Sequence, residues 1–393
     1  MEFKRPVYSQ IFDRLYQKSP FIQVISGPRQ VGKTTLIKQL FDETHWNGIY
    51  AIADGLSHDA IWIESQFNAA MIQQQADPDT SVILAIDEIQ KIPRWSETVK
   101  RLYDQQKFSG NTSVQLILLG SSNWLLQQGL SESLAGRFEQ WNIDHWTFQE
   151  LHEAFNITPE QYVYFGAYPG AMPMITDEDR WKSYVKQSLI ETVITKDVLL
   201  MHRIEKPALL RRLFELGTQY SGKILSFTKI MGQLQEAKNT TTLSHYLELL
   251  DHAGLLTGLQ KFAMDQARKR NSSPKWQTMN NALMSSLHDY TFEQIQSDKK
   301  TWGRWVESAV GAHLLSHRGN DLNVYYWNES NAEVDFILDY RGRYIALEVK
   351  LTTDRISGLN AFTKHFNPSK IYQLDSSGLS WQQLIAMDPR GLF

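Results

Sequence analysis

Between Phe21 and Ile143 the chain alternates short apolar runs with longer amphipathic stretches. The runs are Phe21-Ile22-Gln23-Val24-Ile25, Ile49-Tyr50-Ala51-Ile52, Ser81-Val82-Ile83-Leu84-Ala85-Ile86 and Val114-Gln115-Leu116-Ile117-Leu118-Leu119. Strands buried on both faces and separated by helices predict a parallel α/β sheet. A helical stretch follows, broken by the turn signals Tyr168-Pro169-Gly170 and Met172-Pro173. From Lys206 to about Leu283 the pattern is helix-rich. Ser226 can cap a helix running through Leu234, and Ala237-Lys238-Asn239 forms a polar turn. A second helix starts near Thr241, with Leu243, Tyr246, Leu247 and Leu250 at helical spacing and Gly254 at its end. Leu255 to Met264 reads as a strand, Asp265 to Pro274 as a loop, and Lys275 as part of the returning strand. The last region predicts a helix from Trp302 to His317. Strands Val324–Trp327, Glu333–Leu338 and Tyr344–Leu351 follow, with Asp339 to Gly342 as the turn between the last two.

These patterns divide the chain at 1–150, 151–205, 206–283 and 284–393, and 393 residues exceed one ordinary core. An apolar fraction of 42% supports packed domains rather than disorder. The chain has no cysteine, which excludes disulfides, thiolate metal sites and a cysteine nucleophile. No apolar run approaches the roughly 20 residues that span a bilayer, and no signal-peptide core is present. The expectation is a cytoplasmic protein with no membrane partner. The net charge of -3 hides an asymmetry: Lys206 to Leu283 holds eleven Lys/Arg against five Asp/Glu, or +6, leaving -9 elsewhere. A local basic unit of this kind suits phosphate contacts.

The strongest chemical signal is Gly27-Pro28-Arg29-Gln30-Val31-Gly32-Lys33-Thr34, entered from an apolar strand and continued by Thr35 into a helix. Glycines let backbone N–H groups approach phosphate oxygens, and the helix N-terminus adds partial positive charge. Lys33 is expected to reach the β- and γ-phosphates of ATP, and Thr34 to ligate Mg²⁺. Asp87 and Glu88 end a second apolar strand; Asp87 suits the magnesium shell and Glu88 suits polarising the attacking water. The next strand ends at Gly120-Ser121-Ser122-Asn123, where either Ser121 or Ser122 can sense the γ-phosphate. Ser133-Leu134-Ala135-Gly136-Arg137 precedes a strand from Gln140 to Ile143.

Phosphate loop, acidic strand, polar strand end and Gly-Arg before a final strand, in that order, resemble the AAA+ ATPases. The likeness is to their prokaryotic branch with Gly-Pro-Arg-Gln-Val-Gly-Lys-Thr loops and Leu-Ala-Gly-Arg motifs. The resemblance implies an AAA+ core over 1–150, a helical lid over 151–205 and an arginine finger at Arg137 that reaches a neighbouring subunit. A homo-oligomer follows from it.

The two-helix unit with its strand–loop–strand has the pattern of a winged helix-turn-helix over 206–283. Arg268, Lys269 and Arg270 fall in the wing and Lys275 in the returning strand, which makes them candidate nucleic-acid contacts. In the last region Glu348 and Lys350 lie two apart and share a strand face, and Asp335 on a neighbouring strand can join them. This set resembles the restriction-endonuclease-like nucleases over 284–393. The resemblance implies Mg²⁺ on Asp335 and Glu348, a water oriented by Lys350, and Glu307 completing the site from its helix. Val334 stands where that family usually has proline. All four parts together resemble a prokaryotic family of AAA+ ATPases fused to a C-terminal domain of unknown function.

Two functions remain in competition. One is an ATP-hydrolysing AAA+ protein acting on DNA, including branched DNA, with a metal-dependent nuclease domain whose cleavage the residues leave open. The other is a nucleotide-switched signalling or scaffolding ATPase whose C-terminal domain binds a partner protein without cutting.

Overall fold

A computed structural model describes residues 3–17, 20–54, 59–110, 113–121, 126–127, 129–130, 133–198, 204–234, 239–264, 272–319, 321–329, 332–351, 357–375 and 378–393. The chain divides into two compact units, Met1–Asp144 and His145–Phe393. The three later divisions read from the sequence therefore fall within one unit.

In the first unit, α1 (Val7–Tyr16), β1 (Ile22–Ser26), α2 (Lys33–Thr44), β2 (Asn47–Ile52), α3 (Ala60–Ala76), β3 (Val82–Asp87), α4 (Trp95–Phe108), β4 (Val114–Gly120) and β5 (Phe138–Asn142) follow in order. The strands form a parallel five-stranded sheet in the order β2-β3-β4-β1-β5. β1, β3 and β4 are buried along their whole length, because helices cover both faces of the central strands. One face packs Val24, Leu84, Ile86 and Leu118 against α3 and α4. The opposite face packs Ile25, Ile83, Ile117 and Leu119 against α1 and α2. The sheet is the parallel α/β sheet that the apolar runs predict, and the glycine loop leaves β1 at its carboxyl edge.

The second unit opens with α5 (Phe148–Phe155), α6 (Pro159–Phe165) and α7 (Glu178–Tyr184). Thr147 and Thr158 close capping boxes with Glu150 and Gln161. Pro169 to Met174 forms a 3-10 turn where the sequence predicted a break. Next come α8 (Pro207–Gln219), α9 (Phe227–Gln233) and α10 (Thr240–His252), followed by the antiparallel hairpin β6 (Leu256–Leu259) and β7 (Lys275–Thr278). Ser226 and Asn239 cap α9 and α10, accepting from Lys229 N at 3.3 Å and Thr242 N at 2.8 Å. Leu243, Tyr246, Leu247 and Leu250 form the buried stripe of α10, as their spacing requires.

The chain ends with α11 (Asn281–Ser286), α12 (Phe292–Ser297), α13 (Lys299–Ser316), β8 (Leu322–Glu329), β9 (Ala332–Tyr340), β10 (Arg343–Val349), α14 (Ser357–His365), β11 (Lys370–Leu374) and α15 (Trp381–Ile385). The sheet order is β11-β10-β9-β8, antiparallel between β8 and β9 and between β9 and β10, parallel between β10 and β11.

Leu255 to Met264 is not one strand. β6 stops at Leu259, and the next residues cross to the C-terminal sheet. Register shifts between Tyr325 and Trp327, and this irregularity turns the Tyr326 backbone outward. Phe262 N donates to Tyr326 O at 2.7 Å, and Tyr326 N donates to Gln260 O at 3.1 Å. The Phe262 ring then sits in a core of Trp327, Val334, Ile337, Ala346, Leu359 and Phe362. Truncating a buried aromatic of this kind costs about 3–5 kcal/mol. Phe262→Ala should therefore lower the denaturant midpoint of the second unit sharply, measured by chemical unfolding.

His313 on α13 is buried, and its Nε2 donates to Met387 O at 3.0 Å. Burial and the neighbouring His317 lower its pKa to about 3. A group depressed in the folded state binds its proton mainly in the unfolded chain, so stability is full above about pH 6.5 and falls between there and pH 3. His313→Gln should flatten the acid side of a stability–pH profile.

Candidate functional site

The carboxyl edge of the parallel sheet gathers the sequence-predicted nucleotide residues, as ligands of open α/β sheets require. Gly27 to Gly32 leave β1 and feed directly into α2. Gly27 has φ +154°, and a Cβ there would stand 2.0 Å from Ile143 O. Gly32, at φ +94°, precedes the first residue of α2 in a left-handed conformation that glycine adopts freely. Lys33 is buried, and its Nζ donates to Gly27 O and Pro28 O, each at 2.8 Å. The lysine thus bridges the neck of its own loop. Thr34 and Thr35 lie exposed on the first turn of α2, and Gln30 takes a positive φ of 62°.

Asp87 ends β3. Its Oδ1 accepts from Glu88 N at 2.8 Å, and its Oδ2 accepts from the hydroxyl of Tyr50. Tyr50 OH also lies 3.4 Å from Thr34 Oγ1, so one phenol links the two oxygens expected to serve magnesium. Burial, with the Asp87 contact next, pushes the Tyr50 pKa up to about 12. Sequence reasoning treated Tyr50 only as part of an apolar strand run. Its hydroxyl was the available signal, since a tyrosine beside a strand-end carboxylate needs a partner for it. A hydroxyl and a carboxylate are hard oxygen donors that fit magnesium.

Glu88 adopts φ 55°, a conformation uncommon for a non-glycine residue and frequent at functional turns. Its Oε2 accepts from Gln90 Nε2 at 2.7 Å and from Ser121 Oγ at 3.1 Å, and its Oε1 stands 3.7 Å from Arg29 Nη2. Ser121 at the end of β4 therefore meets Glu88 directly, while Ser122 lies outside the described residues. Gln90 and Arg29 were not assigned to Glu88 from sequence. Arg137 forks onto Asp104 of α4, at 2.8 Å from Nε to Oδ1 and 3.1 Å from Nη2 to Oδ2. Within this chain the candidate finger is held by an intramolecular pair.

The C-terminal candidates share their surroundings with a lysine, Lys275, that the sequence reading placed in the nucleic-acid surface. Asp335 Oδ2 accepts from Val349 N at 2.9 Å. Its Oδ1 lies 3.3 Å from Lys275 Nζ, which also sits 2.7 Å from Glu307 Oε1 and 3.5 Å from Glu333 Oε1. Glu348 faces Lys350 at 3.2 Å. Lys275 corrects the sequence reading: the side chain is 0% exposed and cannot contact nucleic acid. The error came from counting charge along a loop without knowing which way the returning strand faced. Arg268, Lys269 and Arg270 lie outside the described residues.

Burial raises Glu307 to about 7, helped by Asp335 and opposed by Lys275. Burial works to lower Lys275, yet Glu307, Asp335 and Glu333 outweigh it and hold its pKa up. Among the described residues no group of three or more His, Asp or Glu side chains is placed to hold a metal ion. Asp335 and Glu307 face Lys275 while Glu348 faces Lys350, so the carboxylates expected to serve magnesium already have ammonium partners.

Residues 19–152 match the family model described as an AAA domain. Residues 158–294 and 302–379 match two models, each described as a domain of unknown function (DUF8612 and DUF4143). An uncharacterized protein of Haemophilus influenzae is 23% identical over 337 residues, covering 82% of this chain and 80% of that protein. Uncharacterized proteins of Mycobacterium tuberculosis and Methanocaldococcus jannaschii are 24% and 25% identical, covering 86% and 81% of this chain and 72% of each relative. Among solved structures, the Aeropyrum pernix Orc1 protein in complex with DNA has a TM-score of 0.32 and 12% identity, covering 73% of this chain and 92% of that one. The Thermotoga maritima RuvB Holliday junction branch migration motor has a TM-score of 0.33 and 17% identity, covering 65% and 90%. Likenesses at these TM-scores are too partial to bear on function. No helix among the described residues is long and apolar enough to cross a membrane.

The space at Gly27 makes a sharp test of the loop. Gly27→Ala should abolish binding of a fluorescent ATP analogue while the circular dichroism spectrum stays unchanged, because its methyl would overlap the Ile143 carbonyl.

Proposed function

We propose that this chain binds and hydrolyses Mg-ATP at the carboxyl edge of the β1–β5 sheet and uses the cycle to act on DNA. The observation that carries the first half is the convergence of Gly27–Thr34, Asp87, Glu88 and Ser121 on one sheet edge, with Glu88 already held by Ser121, Gln90 and Arg29.

Lys33 exchanges its two carbonyl partners for the β- and γ-phosphate oxygens, which are better acceptors for an ammonium. Thr34 Oγ1 and Asp87 would hold magnesium, which neutralises the charge that develops on the phosphates. Tyr50 releases or retains Asp87 and so governs whether that carboxylate faces the cation. Glu88 accepts a hydrogen bond from the attacking water and orients it in line with the γ-phosphate. Ser121 and Gln90 keep the carboxylate from rotating away. Asp104 holds Arg137 until a neighbouring subunit's nucleotide offers a stronger anion.

The DNA half draws on α8, α9, α10 and the β6–β7 hairpin, whose order is that of a winged helix, and on the basic excess of Lys206 to Leu283, ten Lys/Arg against five Asp/Glu once the buried Lys275 is set aside. A cytoplasmic homo-oligomer that opens and closes around Arg137 is the form consistent with this reading. The order α13, three antiparallel-paired strands, α14 and β11 supports a restriction-endonuclease-like fold for the C-terminal part. The Lys275 ion cluster favours the second reading for that part alone, a domain that grips a partner without cutting it.

Lys33→Ala should remove ATP binding. Glu88→Gln should retain binding and lower steady-state phosphate release by about 100-fold or more, within the range expected for loss of a positioned base. A Glu88→Gln protein that turns over at the parent rate refutes the role given to Glu88. Duplex DNA should raise turnover of the parent protein, and the effect should weaken steeply with salt. Salt-independent turnover, equal with and without DNA, would transfer the proposal to the protein-partner reading.

A further inference from the structure

Lys275 is the first residue of β7, and its backbone is committed to the hairpin. It pairs with Leu259 across the hairpin and bridges Ile224. The following residues Trp276, Gln277 and Thr278 are also fully buried. The side chain leaves this hairpin and ends inside the C-terminal acidic centre. Its Nζ meets Glu307 Oε1 at 2.7 Å, Asp335 Oδ1 at 3.3 Å, Asp335 O at 3.3 Å and Glu333 Oε1 at 3.5 Å, with the Phe336 ring centroid 5.0 Å away. The acceptors come from α13 and β9, two of the three elements that the nuclease-like reading assigns to a metal, Glu348 of β10 being the third.

We propose that the Lys275 ammonium is a built-in substitute for the divalent metal of a nuclease-like centre, so that this centre binds no catalytic cation and instead fastens the β6–β7 hairpin to the β8–β11 sheet. The inference rests on the nuclease-like reading of the C-terminal fold and replaces the magnesium role first expected of Asp335, Glu348 and Glu307.

Three observations carry it. An ammonium among carboxylates supplies the positive charge that a cation would otherwise provide, at a point that α13 and β9 both reach. Both oxygens of Asp335 are engaged, Oδ1 by Lys275 and Oδ2 by Val349 N, so the ammonium already stands where a cation shared with Glu307 would sit. Glu348, which would share the metal, meets Lys350 through Oε1 at 3.2 Å, while its Oε2 is buried without a hydrogen bond.

The substitution is permanent rather than a latch. Withdrawing Lys275 means pulling β7 off β6 and exposing Trp276, which packs in the same hairpin and donates from Nε1 to Leu225 O at 2.8 Å. A second attachment, Phe262 N to Tyr326 O, holds the other arm of the hairpin to β8. The hairpin and the C-terminal sheet therefore move as one body, and whatever the hairpin contacts is carried by that sheet.

The test is a Mn²⁺ titration of nucleotide-free, full-length protein, read by electron paramagnetic resonance. Omitting nucleotide keeps the outcome separate from the ATPase reading, whose cation arrives with ATP. The parent protein should show no stoichiometric Mn²⁺ site that depends on Asp335. Lys275→Met keeps an unbranched side chain, one atom shorter, and removes the charge. It should gain one Mn²⁺ per chain, bound on the order of tenfold or more tighter than in the parent. That gain should vanish when Asp335→Asn is added. A parent protein that binds one Mn²⁺ per chain, lost in Asp335→Asn and kept in Thr34→Ala, overturns the proposal. So does Mn²⁺-dependent cleavage of branched or duplex DNA that Asp335→Asn abolishes. A folded Lys275→Met protein that still takes up no Mn²⁺ also refutes it. Should Lys275→Met fail to fold, the parent titration with Asp335→Asn decides the question alone.

Discussion

A single ammonium group holds the second unit to its present form. Lys275 is enclosed, and a lone charge in that position would cost several kcal/mol in lost hydration. Glu307, Asp335 and Glu333 offset that cost only by arriving from α13 and β9 at the same point. The hairpin register, the placement of α13 and the start of β9 are thus tied to one another through the geometry of one side chain. Removing one partner of such a buried set typically costs about 3–5 kcal/mol, because the remaining charge stays behind uncompensated. The buried hydroxyl set beside it has the same logic at smaller scale. Ser221, Thr278, Ser308 and Asn281 satisfy each other at 2.7 to 3.2 Å, linking the hairpin to α11 and α13 without a charge.

The first unit depends on the opposite device. Its central strands bury apolar residues on both faces and carry the acids and Ser121 at their carboxyl ends. Asp87, Glu88 and Ser121 are held at that edge by short-range partners, and Lys33 by the carbonyls of its own loop. Each of these contacts can be exchanged for a phosphate or water oxygen without disturbing the core beneath. Exchangeable polar contacts on a rigid sheet suit a site that must bind, react and release. The Lys275 side chain is fully enclosed, although Glu333 beside it is 46% exposed, so the ammonium itself has no such exchange. The physical difference between the two centres is one of access, open at the sheet edge and closed around the lysine.

The candidate sites differ in how far sequence could reach them. The phosphate loop, the strand-end acids and Ser121 are contiguous or strand-terminal features, so motif and local pattern place them. The capping serine of α9, the apolar stripe of α10 and the long α13 are equally local. Tyr50 and Arg29 around the acids belong to separate elements, and only the packing of β2, β3 and the loop brings their side chains to Asp87 and Glu88, whereas Gln90 lies two residues from Glu88. Charge counting went wrong at Lys275 for a related reason. A basic count along Lys206 to Leu283 treats each lysine as solvated, and a strand whose both faces are covered violates that premise.

What the sequence by itself determined is the set of local structures and the phosphate-binding chemistry. Hydrophobic period, glycine placement and capping residues act within a few positions, so neighbours in the chain suffice to decide them. What only the tertiary structure decided is which distant groups meet. The break of the Leu255 to Met264 segment follows from the displaced Tyr326 backbone, which offers hydrogen bonds to Gln260 and Phe262. The acidic residues Glu307, Asp335 and Glu348 read alike in sequence, yet the first two receive a lysine from a hairpin at least 32 positions away and the third receives Lys350. Carboxylates carry no record of which cation will neutralise them; that depends on which positive group the fold delivers first.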